Sequence, residues 1–361
     1  MNVALAGLPA SGKTCLFDAL SEGAVDSGAH PARPDHPNRA SVAVPDDRLP
    51  WLAGLYGAPK QTRVPIEFVD LPGLAPGRPE LAAQNTAIMD RLRQADALVY
   101  VLRAFAGDRV PHLLGRVDPR GDRNVLFSEF ALADLDVTVR RIEKLEKQVQ
   151  KPTPERDAQK RELELLARCR QALESERPLH EAIAGEAERA MLRGFAFLTE
   201  KPVLAVLNVA EDRAGDPEAV ADEYADLGRP LRALSASLEA EIGALAPQER
   251  QAFLEEMGLK RFHTPEVLRG VCEALDRITF FTCGSNEVAA RSVPRGTTAV
   301  QAAAEVHTDM ARGFIRAEVV AYEDLHRAGS LKQARAEGHF LVEGRDFVVR
   351  EGDVVHFHFS R

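Results

Sequence analysis

The segment Gly7–Thr14, GLPASGKT, constrains this chain more than any other stretch. It fits G-x-x-x-x-G-K-[ST] at every fixed position. Val3–Ala6, just before it, is a short apolar run of the kind that forms a buried strand. Cys15–Leu20, just after it, places Leu16, Ala19 and Leu20 on one helical face. A strand, a glycine-bounded loop and a helix start turn backbone amides toward an anion. Lys13 is expected at the β- and γ-phosphates of a nucleotide and the Thr14 hydroxyl at Mg²⁺. Gly7, Pro9, Ala10, Ser11, Gly12 and Cys15 complete the expected nucleotide-binding loop. Pro9 falls where the loop approaches the γ-phosphate most closely. It stiffens the backbone and removes one amide donor. A glycine turn with a chance lysine is the bland alternative, but position, flanks and pattern all favour phosphate.

At 361 residues the chain has room for two or three domains with real cores. Its 45% hydrophobic and 28% charged residues are those of a globular protein. The net charge of −9 argues against a uniform nucleic-acid coat but leaves room for a local basic patch; no sequence-specific DNA binding is expected. No apolar run reaches the roughly 18 residues of a membrane span. The phosphate loop begins at residue 7, which leaves no room for a signal peptide. Cys15, Cys169, Cys272 and Cys283 form no C-x-x-C pair and read as reduced thiols of a cytoplasmic protein. Cys15 reads as a small buried residue. The competing reading is a thiol whose pKa the helix N-terminus lowers.

Further apolar runs end in polar turns. Arg63–Val69 leads into Asp70-Leu71-Pro72-Gly73, a D-x-x-G that is often just a turn but here ends a strand downstream of a phosphate loop, so Asp70 is expected to hold Mg²⁺ through water and the Gly73 amide to meet the γ-phosphate. Ala95–Leu102, Pro202–Leu207 and Leu231–Leu234 read as further strands; the last two run into Asn208-Val209-Ala210-Glu211 and Ser235-Ala236-Ser237. Strands alternating with helices predict an α/β fold with a parallel sheet. Its carboxyl edge then gathers these turns. Leu132, Leu135, Val139, Ile142, Leu145 and Val149 recur by threes and fours, and Leu163, Leu166, Arg170 and Leu173 continue beyond Lys151-Pro152-Thr153-Pro154. This spacing predicts an antiparallel helical hairpin. From Arg277 onward, strand-like runs at 278–282, 315–320, 339–342, 347–350 and 354–359 surround a helical stretch at 298–307. They predict a small mixed sheet with one main helix.

At this point the chain resembles the YchF family of Obg-like ATPases over essentially its full length. The carrying segments are GLPASGKT, DLPGL, FALADLD (130–136), LRGFAFLTEKPVLAVLNVAE (192–211), SASLEAEI (235–242), the stretch 295–325 and the ending EGDVVHFHF. The resemblance implies a P-loop GTPase-like core, a helical hairpin insertion and a C-terminal TGS domain of ubiquitin-like β-grasp fold. The corresponding boundaries are 1–127 and 196–275 for the nucleotide-binding domain, 128–195 for the hairpin and 277–361 for the TGS domain. It implies a slow ATPase that uses Mg²⁺ and associates with ribosomes or related RNA–protein assemblies.

The resemblance also assigns the base-binding turns. GTPases carry N-K-x-D where this chain has NVAE, so the guanine-reading Asp is replaced by Glu211. An amide at Asn208 facing adenine, with Val209, Glu211, Ser235, Ala236 and Ser237 around it, implies a preference for ATP. An unpaired base donor costs about 1–3 kcal/mol, so some GTP binding is expected. Leu74 stands where a Gln orients water in Ras-like GTPases. The family implies that His112, in VPHLLG, takes that role alongside Lys13. Taken alone, His112 reads more readily as a structural histidine.

Two positions and one stretch depart from the family pattern. Pro34, in HPARPDHPN (30–38), replaces a Thr that completes the metal shell. The stretch after D-x-x-G is altered to APGRPELAAQN (75–85), and Ser237 replaces a lysine. These losses leave open a nucleotide-bound scaffold with little turnover. A P-loop kinase is a third reading, which predicts an arginine-bearing lid.

Overall fold

Strand β1 (Asn2–Ala6) is buried on nearly all of its length because it lies at the middle of a sheet. In this computed structural model residues 1–23, 32–107, 112–259 and 261–360 are described. The first sheet also contains β2 (Asn38–Ala43), β4 (Pro65–Asp70), β5 (Ala97–Ala104), β6 (Val203–Val209) and β7 (Leu231–Leu234). Strand order is β2-β4-β1-β5-β6-β7. The pairs β1–β4, β1–β5, β5–β6 and β6–β7 are all parallel. Parallel strands need covered faces, which explains the near-continuous apolar runs seen in the sequence. Their loops at the carboxyl ends of β1, β4, β6 and β7 form the candidate site.

Helix α1 (Lys13–Ser21) follows β1 directly. Helix α3 (Ala82–Arg93) precedes β5 and packs Ile88 and Leu92 into the core. The hairpin is built from α4 (Pro119–Gln148) and α5 (Arg156–Glu174). Its seam joins Ile142 and Leu145 to Leu165, Leu166, Cys169 and Leu173. The periodicity placed Arg170 and Leu132 in that seam. Instead Arg170 points outward to Glu174 at 2.7 Å, and Leu132 is 61% exposed. Cys169 fills the position that Arg170 cannot, since a guanidinium without a partner is costly to bury.

The chain divides into two units, Met1–Ala40 with Glu67–Gly270, and Ser41–Ile66 with Val271–Arg361. The hairpin is part of the first unit. The second unit contains a sheet of order β11-β10-β12-β8-β9-β3. Its strands are β3 (Lys60–Thr62), β8 (Arg277–Cys283), β9 (Glu287–Pro294), β10 (Phe314–Ala321), β11 (Leu341–Glu343) and β12 (Asp353–Phe359). The β8–β9 hairpin, the central parallel β12–β8 pair and the helix Ala299–Val306 packed on the sheet make a β-grasp. That helix starts with a capping box between Thr298 and Gln301, which ends the preceding turn cleanly.

The segment 41–66, read from sequence as part of the nucleotide-binding domain, joins the second unit through its own contacts. Lys60–Thr62 pairs in parallel with β9, and Arg48 donates to Glu351 at 2.8 Å. The run 347–350 is not a strand; it makes a single bridge from Val348 to Thr298. His30 and Pro31 of the first-switch stretch, and Val110 and Pro111 before His112, lie outside the described residues.

Candidate functional site

The loop after β1 is shaped to present amides. Ala10 has φ 62° and Gly12 φ 92°, both left-handed. A Cβ on Gly12 would collide with the Asn208 side-chain amide, so only glycine fits there. Gly12 is also the N-cap of α1 and offers no side-chain cap, leaving first-turn amides for a ligand. Lys13 is buried, and its Nζ donates to the carbonyls of Leu8 (2.9 Å) and Gly7 (3.2 Å). Burial lowers its pKa to about 8, and the charge of Asp70 offsets part of that. The loop thus stores a cation on its own carbonyls, within reach of the space where phosphate would sit.

The D-x-x-G turn packs directly on this loop. Leu74 N donates to the Gly7 carbonyl at 3.1 Å. A Cβ on Gly73 would stand 2.5 Å from the Pro9 nitrogen, so close approach requires glycine there too. Pro9 and Gly73 are therefore matched: one lacks an N–H, the other a side chain. Asp70 is fully buried, and its Oδ2 accepts from the Thr14 hydroxyl at 3.1 Å. Its Oδ1 is buried without a partner. Burial raises the Asp70 pKa, while Lys13 and Thr14 pull it back. A buried acceptor oxygen beside a hydroxyl is the donor set of a hard cation, so these residues fit Mg²⁺.

On the base side, Asn208 at the end of β6 is almost wholly buried. Its Nδ2 donates to the Ser11 carbonyl at 3.0 Å and its Oδ1 accepts from Ala236 N at 2.9 Å. The amide expected to face adenine is thereby committed to two protein loops, with one N–H and one lone pair left over. Val209 is buried, Glu211 opens an exposed helical turn, and Ser235 Oγ lies 3.2 Å from Ser237 Oγ. Cys15 is exposed on the first turn of α1. Desolvation and then Asp18 raise its thiol, opposite to the lowering that a helix N-terminus suggests.

His112 is held by partners of its own. Its Nε2 lies 2.9 Å from Asp122 Oδ2, and its Nδ1 accepts from Leu114 N at 3.1 Å. The Leu114 bond makes Nε2 the protonated nitrogen that donates to Asp122. Both side chains are about 4% exposed or less. As placed, neither ring nitrogen is open to a water. Asp122 lies in the first turn of α4, so His112 fastens a loop to that helix.

Sequence reasoning missed three residues here. Arg103, fully buried at the end of β5, donates to the Phe105 carbonyl at 3.1 Å and the Ala10 carbonyl at 3.4 Å. A lone arginine in an otherwise apolar strand was its only signal. Arg91 on α3 donates through Nε to the Pro34 carbonyl at 3.0 Å. Asp134, in FALADLD, is completely buried, and its carboxylate accepts from Arg93, Leu198 N, Thr199 N and Thr199 Oγ1. It ties α4 to α3 and to the segment before β6.

Among known families, one described as a 50S ribosome-binding GTPase matches residues 2–128. The YchF-GTPase C-terminal family, described as a protein of unknown function (DUF933), matches residues 277–360. A ribosome-binding ATPase YchF of Bacillus subtilis is 35% identical over 366 residues, covering 100% of this chain and 99% of that protein. An Obg-like ATPase 1 of Caenorhabditis elegans is 30% identical, covering 100% and 92%. The solved structure of the Schizosaccharomyces pombe YchF GTPase superposes with a TM-score of 0.81 at 25% identity, covering 99% and 97%. With full-length identity of that order and both end domains matched, the chain belongs to the YchF family.

Proposed function

We propose that this protein binds ATP in preference to GTP, hydrolyses it slowly and docks on ribosomes in the cytoplasm. The observation that carries the nucleotide reading is the paired store of charge at the phosphate end. Lys13 sits on its own loop carbonyls, and the buried Asp70 carboxylate accepts from the Thr14 hydroxyl through Oδ2. On binding, Lys13 would exchange those carbonyls for phosphate oxygens, and Thr14 and Asp70 are the residues that would hold Mg²⁺. Bound Mg²⁺ supplies neutralisation of phosphate charge. The amides of residues 10–14 orient the phosphates, and Leu74 keeps bulk water from that side. Glu211 in place of Asp supports the ATP preference, because its longer side chain shifts the carboxylate that would pair with guanine. His112 orients the attacking water once it leaves Asp122. The relatives' names, ribosome-binding ATPase and Obg-like ATPase, support the ribosome partner.

Competition titration with ATP and GTP, followed by co-sedimentation with ribosomes with and without an ATP analogue, tests this reading. A tenfold preference for GTP, or no sedimentation in any nucleotide state, overturns it. The pairing of both His112 nitrogens favours one alternative, a nucleotide-bound scaffold with little turnover. Single-turnover hydrolysis with and without ribosomes separates the two.

A further inference from the structure

Ala10 is the one residue of the phosphate loop that carries a side chain at positive φ, 62°. A left-handed backbone disfavours any residue with a Cβ, so its surroundings must hold it there. Two neighbouring strand ends do so. Arg103 on β5 and Asn208 on β6 are register partners in the parallel sheet. Arg103 Nη1 donates to the Ala10 carbonyl at 3.4 Å, and Asn208 Nδ2 donates to the Ser11 carbonyl at 3.0 Å. Successive carbonyls of the loop are thus turned toward the ends of β5 and β6. The loop also starts against β5, where a Cβ on Gly7 would stand 2.7 Å from the Val101 carbonyl.

A trans peptide points its carbonyl and its N–H in opposite directions. Turning the Ala10 carbonyl to Arg103 therefore aims the Ser11 N–H away from it. That N–H meets the Leu8 carbonyl at 3.3 Å, the same oxygen that accepts from Lys13 Nζ at 2.9 Å. Both donors converge on one spot, so a phosphate oxygen that takes the lysine is within reach of the amide. The guanidinium is itself fixed. It is 1% exposed, its Nε donates to the Phe105 carbonyl at 3.1 Å, and it lies 4.4 Å from the centre of the Phe105 ring. We propose that Arg103 is a positioning residue for phosphate: it holds the Ala10–Ser11 peptide so that the Ser11 amide and Lys13 meet the same phosphate group. This inference rests on the nucleotide reading above.

The test is calorimetric titration of full-length protein with non-hydrolysable ATP and GTP analogues in Mg²⁺. Arg103→Met, of similar length but without donors, loses affinity by about 10–100-fold, the range for a hydrogen bond to a charged group. Both analogues lose by the same factor, because no base contact changes. The same substitution in an Ala10→Gly background costs less, since glycine takes positive φ freely and needs less outside hold. Melting temperatures without nucleotide establish that the variants fold. If Arg103→Met does not fold, Arg103→Lys replaces it: the charge stays, but an ammonium lacks the planar fork that spans the Ala10 and Phe105 carbonyls. Its loss likewise shrinks in the Ala10→Gly background. An equal loss in both backgrounds would make Arg103 a core-packing residue only and overturn the inference. So would a loss confined to the ATP analogue. A wild type that binds neither analogue fails the nucleotide reading itself; a wild type that binds, with Arg103 variants that bind as tightly, fails this inference alone.

Discussion

Asn208 Nδ2 donates to the Ser11 carbonyl at 3.0 Å, so the end of β6 is fastened to the phosphate loop. The same amide accepts from Ala236 N, which brings the loop after β7 into one bonded unit. Its first duty is thus to position loops, whatever base is bound.

Asn208→Ala should therefore weaken ATP and GTP by similar factors. Removing the amide leaves a buried carbonyl and a buried N–H unpaired, each costing about 1–3 kcal/mol. Equilibrium titration with both nucleotides reads this out. Selective loss of ATP binding would mean that the amide chiefly reads the base.

Nucleotide affinity should fall as pH rises through about 8. Burial disfavours the Lys13 ammonium, lowering its pKa from 10.5 to about 8 in the nucleotide-free protein. Between these values the unfolded chain holds the proton and the folded chain does not. The free protein therefore gains stability with rising pH in that window. Phosphates favour the ammonium, so binding above pH 8 takes up a proton. Calorimetry in buffers of different ionisation heat measures that uptake. Lys13→Ala should abolish tight binding.

His112→Ala should leave ATP affinity unchanged and lower turnover by about 10²–10⁴-fold. It should also lower the melting temperature, because Asp122 loses its partner in a buried place. Asp122→Asn, which weakens the hold on the imidazole, should raise turnover. Single-turnover rates for the two variants check both claims, and unchanged rates in both would remove His112 from the mechanism.

Asp134→Ala should cost about 3–5 kcal/mol, the range for leaving one partner of a buried ion pair alone. Arg93 Nη1 meets Asp134 at 2.6 Å, and two backbone amides depend on the same carboxylate. Chemical denaturation of the nucleotide-free protein measures the loss. Arg140→Ala, whose ion pair with Asp136 is exposed on the same helix, should change stability by less than about 1 kcal/mol.

The sequence by itself determined what local pattern can carry. GLPASGKT specifies a strand–loop–helix because its glycines and lysine have no other common use at that spacing. The unbroken apolar runs 97–102 and 203–207 demand a doubly covered parallel sheet, and the heptad-like leucines demand a hairpin. The turns at Asp70, Asn208 and Ser235 were legible because each ends such a run. Tertiary structure alone decided what those turns do to each other. That Gly73 must be bare because Pro9 lies against it is a contact across 64 residues of chain, which no local pattern records. The same holds for Arg91 gripping Pro34, for Arg103 reaching Ala10 and for 41–66 joining the second sheet. His112 shows the limit most plainly. Its residue type suits catalysis, but an imidazole's role is set by what occupies its two nitrogens, and here Asp122 and Leu114 occupy both. Local sequence fixes backbone preference and hydrophobic period; long-range pairing of polar atoms follows only after the strands have been brought together.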